Sequence, residues 1–140
     1  EMLTTIEFIA VAAPDHTLVQ IGNTLGLEDL RPYRQIVVKD SGQRDLDDGW
    51  LGAYQRWSVD SIELSIKAVI EGLGFAWLPE LKVREHIDSG RLVELPLSEG
   101  ARRSAQLHLI LTNGEYTSAG VIELSRLIKQ AVAKQCPTQR

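Results

Sequence analysis

The sequence predicts an α/β fold, and three observations carry that expectation. Runs of β-branched and apolar residues such as "IEFIAV" and "QIVVK" have strand character. In "DSIELSIKAVIEGL" the residues Ile62, Ile66, Val69, Ile70 and Leu73 recur at helical spacing instead. The two kinds of segment alternate along the chain, the pattern of strand–helix–strand units with a largely parallel sheet.

Taken in order, Ile6 to Val11 reads as a buried strand stopped by Pro14, and "PDHTL" as the turn behind it. A polar stretch holding Gly22, Asn23 and Gly26 leads to a short helical turn broken near Pro32, then to a strand Gln35 to Lys39 ended by Asp40, Ser41 and Gly42. "QRDLDDGWLGAYQRW" is acidic and aromatic without sustained periodicity, so it reads as an excursion into a short strand at Trp57 to Val59.

The clearest helix follows. Asp60 is placed to cap its first turn while Glu63 reaches back, a capping-box pattern. Gly72 sits where the helix stops, with Leu73 folding back over the last turn, and "FAWL" is the next strand. Gly72 and Gly74 superficially suit a phosphate loop, which runs strand, glycines, helix; here the helix comes first, so the pair makes a tight helix-to-strand reversal. Pro79 fits the first turn of the helix "ELKVREHI", which ends at Ser89 and Gly90. "RLVELPL" and "QLHLILT" are further strands, and "SAGVIELSRLIKQAVAK" is a closing amphipathic helix with Val121, Leu124, Ile128 and Ala131 on one side.

At 140 residues the chain is long enough for one core or two small lobes. No apolar run approaches the roughly 20 residues that a membrane-spanning helix requires. With 15 basic against 19 acidic residues, net charge −4, nothing draws the whole chain to a polyanion. The single cysteine, Cys136, excludes an internal disulfide and fits a reducing compartment, which points to the cytoplasm. The chain opens on Glu1 in mid-pattern with no charged-then-apolar leader, and so reads as a fragment.

Few residues present chemistry. Asp15 beside His16 invites a general-base reading, but adjacent residues rarely orient each other and no nucleophile elbow accompanies them; the pair reads as turn punctuation. His16, His86 and His108 lack the short spacings of a zinc site, so neither a metal nor a cofactor is expected, and no catalytic residue is assigned. Asp40 and Ser41 follow a strand, where open α/β sheets bind ligands, and they are equally ordinary turn formers. Asp60 and Ser61 open a helix at a strand end, a position suited to a small polar or anionic ligand, although Asp60 already has a role as a cap and its charge opposes an anion. Trp50, Tyr54, Trp57, Phe75 and Trp77 are expected mostly in the core.

Together, "FIAVAAPDHTL", "LRPYRQIVVKDSG", "WSVDSIELSIKAVIEGLGFAWLPE" and "DSGRLVELPL" resemble, in that order, the effector-binding domain of LysR-type transcriptional regulators. Val69, Gly72, Gly74, Leu78 and Pro79 match that family's Val-x-x-Gly-x-Gly-x-x-x-Leu-Pro run, while Thr17 departs from the proline often found after the histidine. The resemblance implies a two-lobed fold like a periplasmic binding protein, with the first lobe incomplete in this chain. Residues 1–16 would supply a strand and hinge of that lobe, 17–96 the second lobe, and 97–140 the return to the first lobe and the final helix. It further implies an unknown small-molecule effector held in a cleft between the lobes, with Asp40, Ser41, Asp60 and Ser61 on one wall. DNA would be contacted only through an upstream helix-turn-helix, and the chain would form homo-oligomers. A stand-alone solute-binding protein of the same fold and, behind it, a small α/β transferase are the alternatives.

Overall fold

The computed structural model describes residues 1–39, 53–112 and 118–135. It divides into two compact units, one comprising Glu1–Ile6 with Ser104–Arg140, the other Glu7–Arg103. Two strands, β1 (Met2–Ala12) and β6 (Arg102–His108), have residues in both units and pair with each other.

In the larger unit β1 is followed by the one-turn helices α1 (Thr17–Gln20) and α2 (Leu27–Leu30), then by β2 (Arg34–Val38) and β3 (Gln55–Val59). Helix α3 (Ile62–Ile70), strand β4 (Ala76–Pro79), helix α4 (Glu80–Asp88) and the short strand β5 (Val93–Glu94) complete it. Strands β2 and β3 are parallel, Ile36 opposite Trp57 and Val38 opposite Val59, and a parallel bridge joins Gln35 to Phe75 just before β4.

The expectation of a largely parallel sheet needs correction. β1 runs antiparallel to β4, with Ile9 opposite Leu78, and antiparallel to β5, with Ala12 opposite Val93. The helical crossover from β3 through α3 to β4 keeps those two strands aligned with β2, as such crossovers do, whereas β1 enters from the other end and fills the place beside β4. That pairing is long in sequence separation and has no local signature.

Alternation along β1 and β4 sorts their side chains between two cores. Ile9 and Val11 join Ala76, Leu78, Ile36, Ile66, Val69, Val83 and Leu92 on the side covered by α3 and α4. Ala10 and Ala12 join Leu18, Leu25, Leu30, Phe75 and Leu95 on the side covered by α1 and α2. Burial on both faces is why these strands read as continuous apolar runs.

Helix α3 ends in a Schellman motif: the Leu73 amide donates to the Ala68 carbonyl and the Gly72 amide to the Val69 carbonyl, each at 3.0 Å. Gly72 takes the left-handed conformation this requires, φ +79°. Pro79 closes β4 and stands as the N-cap of α4 rather than in its first turn.

In the smaller unit Glu1 and Leu109 exchange both backbone hydrogen bonds, at 3.0 and 2.7 Å, and Lys129 Nζ lies 2.6 Å from the Glu1 carboxylate. Helix α5 (Ala119–Gln135) follows, with Ser118 Oγ accepting the Val121 amide at 3.3 Å. Two expectations shift here. The strand lies earlier than "QLHLILT", and the apolar stripe of the closing helix is open: Val121 and Leu124 are exposed, and Ser125 is the residue of α5 that is buried. A periodic stripe shows which face a helix prefers to bury; whether it is buried depends on what packs there, and among the described residues that stripe is uncovered.

The aromatic expectation also divides. Phe75 is fully buried and Trp77 half-buried, its indole N–H donating to the Gly100 carbonyl at 2.8 Å, but Tyr54 is 78% and Trp57 45% exposed. Trp57 lies on a strand paired on one side only among the described residues, and the Arg34 guanidinium stacks over its ring at 3.8 Å. Trp50 lies outside the described residues. Among the described residues no helix is long and apolar enough to cross a membrane.

Candidate functional site

Because β2 and β3 are parallel and in register, their carboxyl ends coincide. The ladder continues one bond further, the Lys39 amide donating to the Val59 carbonyl at 2.8 Å, so Lys39 and Asp60 leave the sheet side by side. Asp40 and Ser41, the other expected site residues at this edge, lie outside the described residues.

The start of α3 differs in detail from the expected capping box. The N-cap is Ser61, extended at φ −146° and ψ 158°, and its Oγ accepts the Leu64 amide at 3.2 Å. Asp60 is one residue too early to cap, and Glu63 falls in the second helical position, where it cannot close the box. Both Asp and Ser are good caps, so adjacent candidates leave the boundary ambiguous by one residue. Ser61 accepts through one lone pair, and its hydroxyl proton remains a donor. One turn further, Ser65 is fully buried and its Oγ has no hydrogen-bond partner among the described residues.

This edge therefore gathers the positive end of a nine-residue helix, the Ser61 hydroxyl, the exposed Lys39 and the exposed Asp60. Such a set can hold a small polar molecule or balance an anionic group; it contains no nucleophile activated by a base. Lys39 escaped the sequence reading, although its place one residue beyond a strand was a usable signal.

The Asp15 and His16 pair is elsewhere. The Asp15 carboxylate lies 4.0 Å from the point where a Cβ on Gly72 would stand, at the far end of α3, a helix roughly 13 Å long at 1.5 Å per residue. His16 Nδ1 accepts the Leu18 amide at 3.0 Å, which makes His16 the N-cap of α1 and removes that nitrogen from base chemistry. Burial holds the His16 pKa below the usual imidazole value, and the neighbouring Asp15 charge opposes the shift. His86 is also engaged, its Nδ1 accepting Arg91 Nε at 3.0 Å. Among the described residues no group of three or more His, Cys, Asp or Glu side chains could hold a metal ion, and Cys136 is outside them.

Comparison with known proteins agrees with this architecture. The family described as LysR substrate binding domain matches residues 1–133. The probable HTH-type transcriptional regulator YhaJ of Escherichia coli K12 is 35% identical over 92 residues, 64% of this chain and 31% of the relative. The uncharacterized HTH-type transcriptional regulator YeeY of the same strain is 29% identical over 94 residues, covering 66% and 30%. The chain thus spans about a third of the length of these curated relatives. Among solved structures, the apo regulatory domain of HypT from Salmonella typhimurium superposes with a TM-score of 0.65 at 17% identity, covering 96% of this chain and 65% of that one. The regulatory domain of MetR, a LysR family regulator from N. meningitidis, gives 0.63 at 20% identity, covering 96% and 63%. At these identities the structural likeness is one of fold.

Proposed function

The chain belongs to the LysR substrate-binding domain family, and from that premise we propose that it is the ligand-sensing regulatory domain of a LysR-type transcriptional regulator. The observation that carries the proposal is the match over residues 1–133 together with the edge where β2, β3 and the start of α3 meet. The family is regulatory, and His16 of the Asp15 and His16 pair is spent on capping α1, which supports a binding rather than a catalytic role.

In this reading residues 17–96 form the second lobe of the family's effector domain, and residues 1–16 and 97–140 belong to the first. Ser61, Asp60, Asp40 and Ser41 contact a small-molecule effector, and Lys39 joins them. The Ser65 hydroxyl beneath the first turn of α3, without a partner among the described residues, supports an additional polar partner there, since an unmade buried hydrogen bond costs about 1–3 kcal/mol. An effector that prefers one conformation of the regulator shifts its population, and so changes DNA binding by a helix-turn-helix carried elsewhere in the protein. We place the regulator in the cytoplasm as a homo-oligomer, with α3 at a subunit contact; the exposed Leu64 and Leu73 at its two ends support that use.

A thermal-shift screen of this chain against carboxylates, amino acids and inorganic anions tests the reading. A ligand that raises the melting temperature of the parent and fails to do so in Ser61→Gly, which keeps a serviceable cap, upholds it; stabilisation of both alike moves the site elsewhere, and no response across the panel removes the small-molecule reading.

A further inference from the structure

The His16 side chain does a job that only its neutral form can do. It stands just past the end of β1, where its Nδ1 accepts the Leu18 amide at 3.0 Å. An acceptor at Nδ1 fixes the neutral tautomer with its proton on Nε2. Its carbonyl also accepts the Val19 and Gln20 amides, at 3.0 and 3.1 Å, so the whole first turn of α1 hangs on this one residue.

The other anchors of that helix are few: Val19 packs partly buried against the second core, and Gln20 Nε2 donates to the Pro14 carbonyl at 3.0 Å. Its four residues are far below the length at which a helix is stable by itself. Its single buried residue is Leu18, fully enclosed against Leu25, Leu30 and Phe75 in the second core. The imidazole is half-buried and lies tilted against the Tyr33 ring at 5.5 Å between centroids. Among the described residues, the groups that act on it are the phenol of Tyr33, from the connection between α2 and β2, and the Asp15 carboxylate from the preceding residue, which acts electrostatically on the ring.

We propose that His16 is a proton-operated latch on α1: when neutral it caps the helix, and when protonated it confronts the Leu18 amide with a second donor, releases it, and frees Thr17–Gln20 from the core. The proton binds at Nδ1, no covalent bond changes, and the displaced imidazolium finds a counter-charge in Asp15. Burial lowers the pKa and Asp15 opposes that shift, so the folded value lies below the reference 6.5. The latch is therefore closed at neutral pH and opens on acidification.

Amide hydrogen exchange, expressed as protection relative to the intrinsic rate at each pH, tests this on the chain as it stands. As pH is lowered from about 7.5 through the titration of the His16 ring, followed by its own shifts, Leu18 protection is expected to fall roughly fivefold, the scale of a lost N-cap, while Val69 in α3 keeps its protection. In His16→Asn, whose amide oxygen caps without titrating, the fall disappears. Unchanged Leu18 protection through the ring titration, or an equal fall in His16→Asn, overturns the latch. A measurement free of any variant accompanies it: nitrogen shifts of the His16 ring at neutral pH must report the Nε2–H tautomer, and the Nδ1–H tautomer sinks the proposal outright.

Discussion

Gly74 runs so close to β2 that a Cβ placed on it would stand 2.5 Å from the Arg34 carbonyl oxygen and 3.2 Å from the Ile36 side chain. The same carbonyl accepts the Phe75 amide at 3.1 Å, so the approach is part of the bridge that joins β4 to β2. Gly72 is needed for a different reason, its positive φ in the cap of α3. Two glycines one residue apart thus serve one reversal, the first by conformation and the second by space.

The substitution Gly74→Ala is expected to destabilise the larger unit by about 2–3 kcal/mol, because the contact it creates is with backbone that cannot step aside. Gly72→Ala, where the nearest atom is 4.0 Å away, should lose only the left-handed preference, about 1 kcal/mol. Urea denaturation of both variants checks the order. Equal losses would mean that the β2–β4 approach is looser than its geometry.

Ser61 and Asp60 make opposite predictions to those of the sequence pattern. Ser61→Ala removes the acceptor for the Leu64 amide and should cost about 1 kcal/mol, whereas Asp60→Ala, exposed and outside the cap, should stay within about 0.5 kcal/mol. Chemical denaturation near neutral pH distinguishes them, and a larger loss at Asp60 would restore the capping box.

What the sequence made legible was local. Helical spacing and Gly72 placed α3 and its end within a residue, and β-branched runs placed β2 and the core of β1. The antiparallel place of β1 beside β4 was hidden because it joins segments some seventy residues apart through alternation that both sheet types share. Helix α1 was hidden because its cap is an imidazole, outside the usual capping set. Exposure of Tyr54 and Trp57 could not be read from residue type, since burial belongs to neighbours that only the tertiary fold supplies. Of the expected site, Ser61 was recognised as a helix start but not as its cap.

Glu80 ties the start of α4 to β6. Arg102 Nη1 lies 2.8 Å from its carboxylate, Arg84 from the next turn also binds it, and Arg102 Nε reaches Glu94 at 3.4 Å. Partial burial works against ionisation, but the hydrogen bonds and charges of Arg84 and Arg102 outweigh it, and the Glu80 pKa is lowered. A depressed carboxylate pKa contributes stability that is complete above the unfolded value, near 4.5, and is lost as pH falls through the lower folded value. Stability should therefore drop in that acid window, and Glu80→Gln should flatten the drop while costing no more than about 1 kcal/mol at neutral pH. Denaturation midpoints taken from neutral to strongly acidic pH give the comparison, and an unchanged acid limb in the variant would assign it to other carboxylates.

The two faces of helical periodicity invite one more test, because α3 and α5 read alike in sequence and differ in what covers them. Val69 of α3 is fully buried in the core that Ile9, Ile36, Ala76 and Leu78 share, whereas Leu124 of α5 is 57% exposed. Val69→Ala leaves a void in a close-packed core and should cost about 1–3 kcal/mol. Leu124→Ala removes a side chain that is already largely in water and should change stability by no more than about 0.5 kcal/mol. Thermal unfolding of the two variants, followed by circular dichroism, is the check. A Leu124 loss as large as that at Val69 would show that the stripe on α5 is covered in solution, and that the difference between the two helices lies in assembly instead of in the fold of the chain.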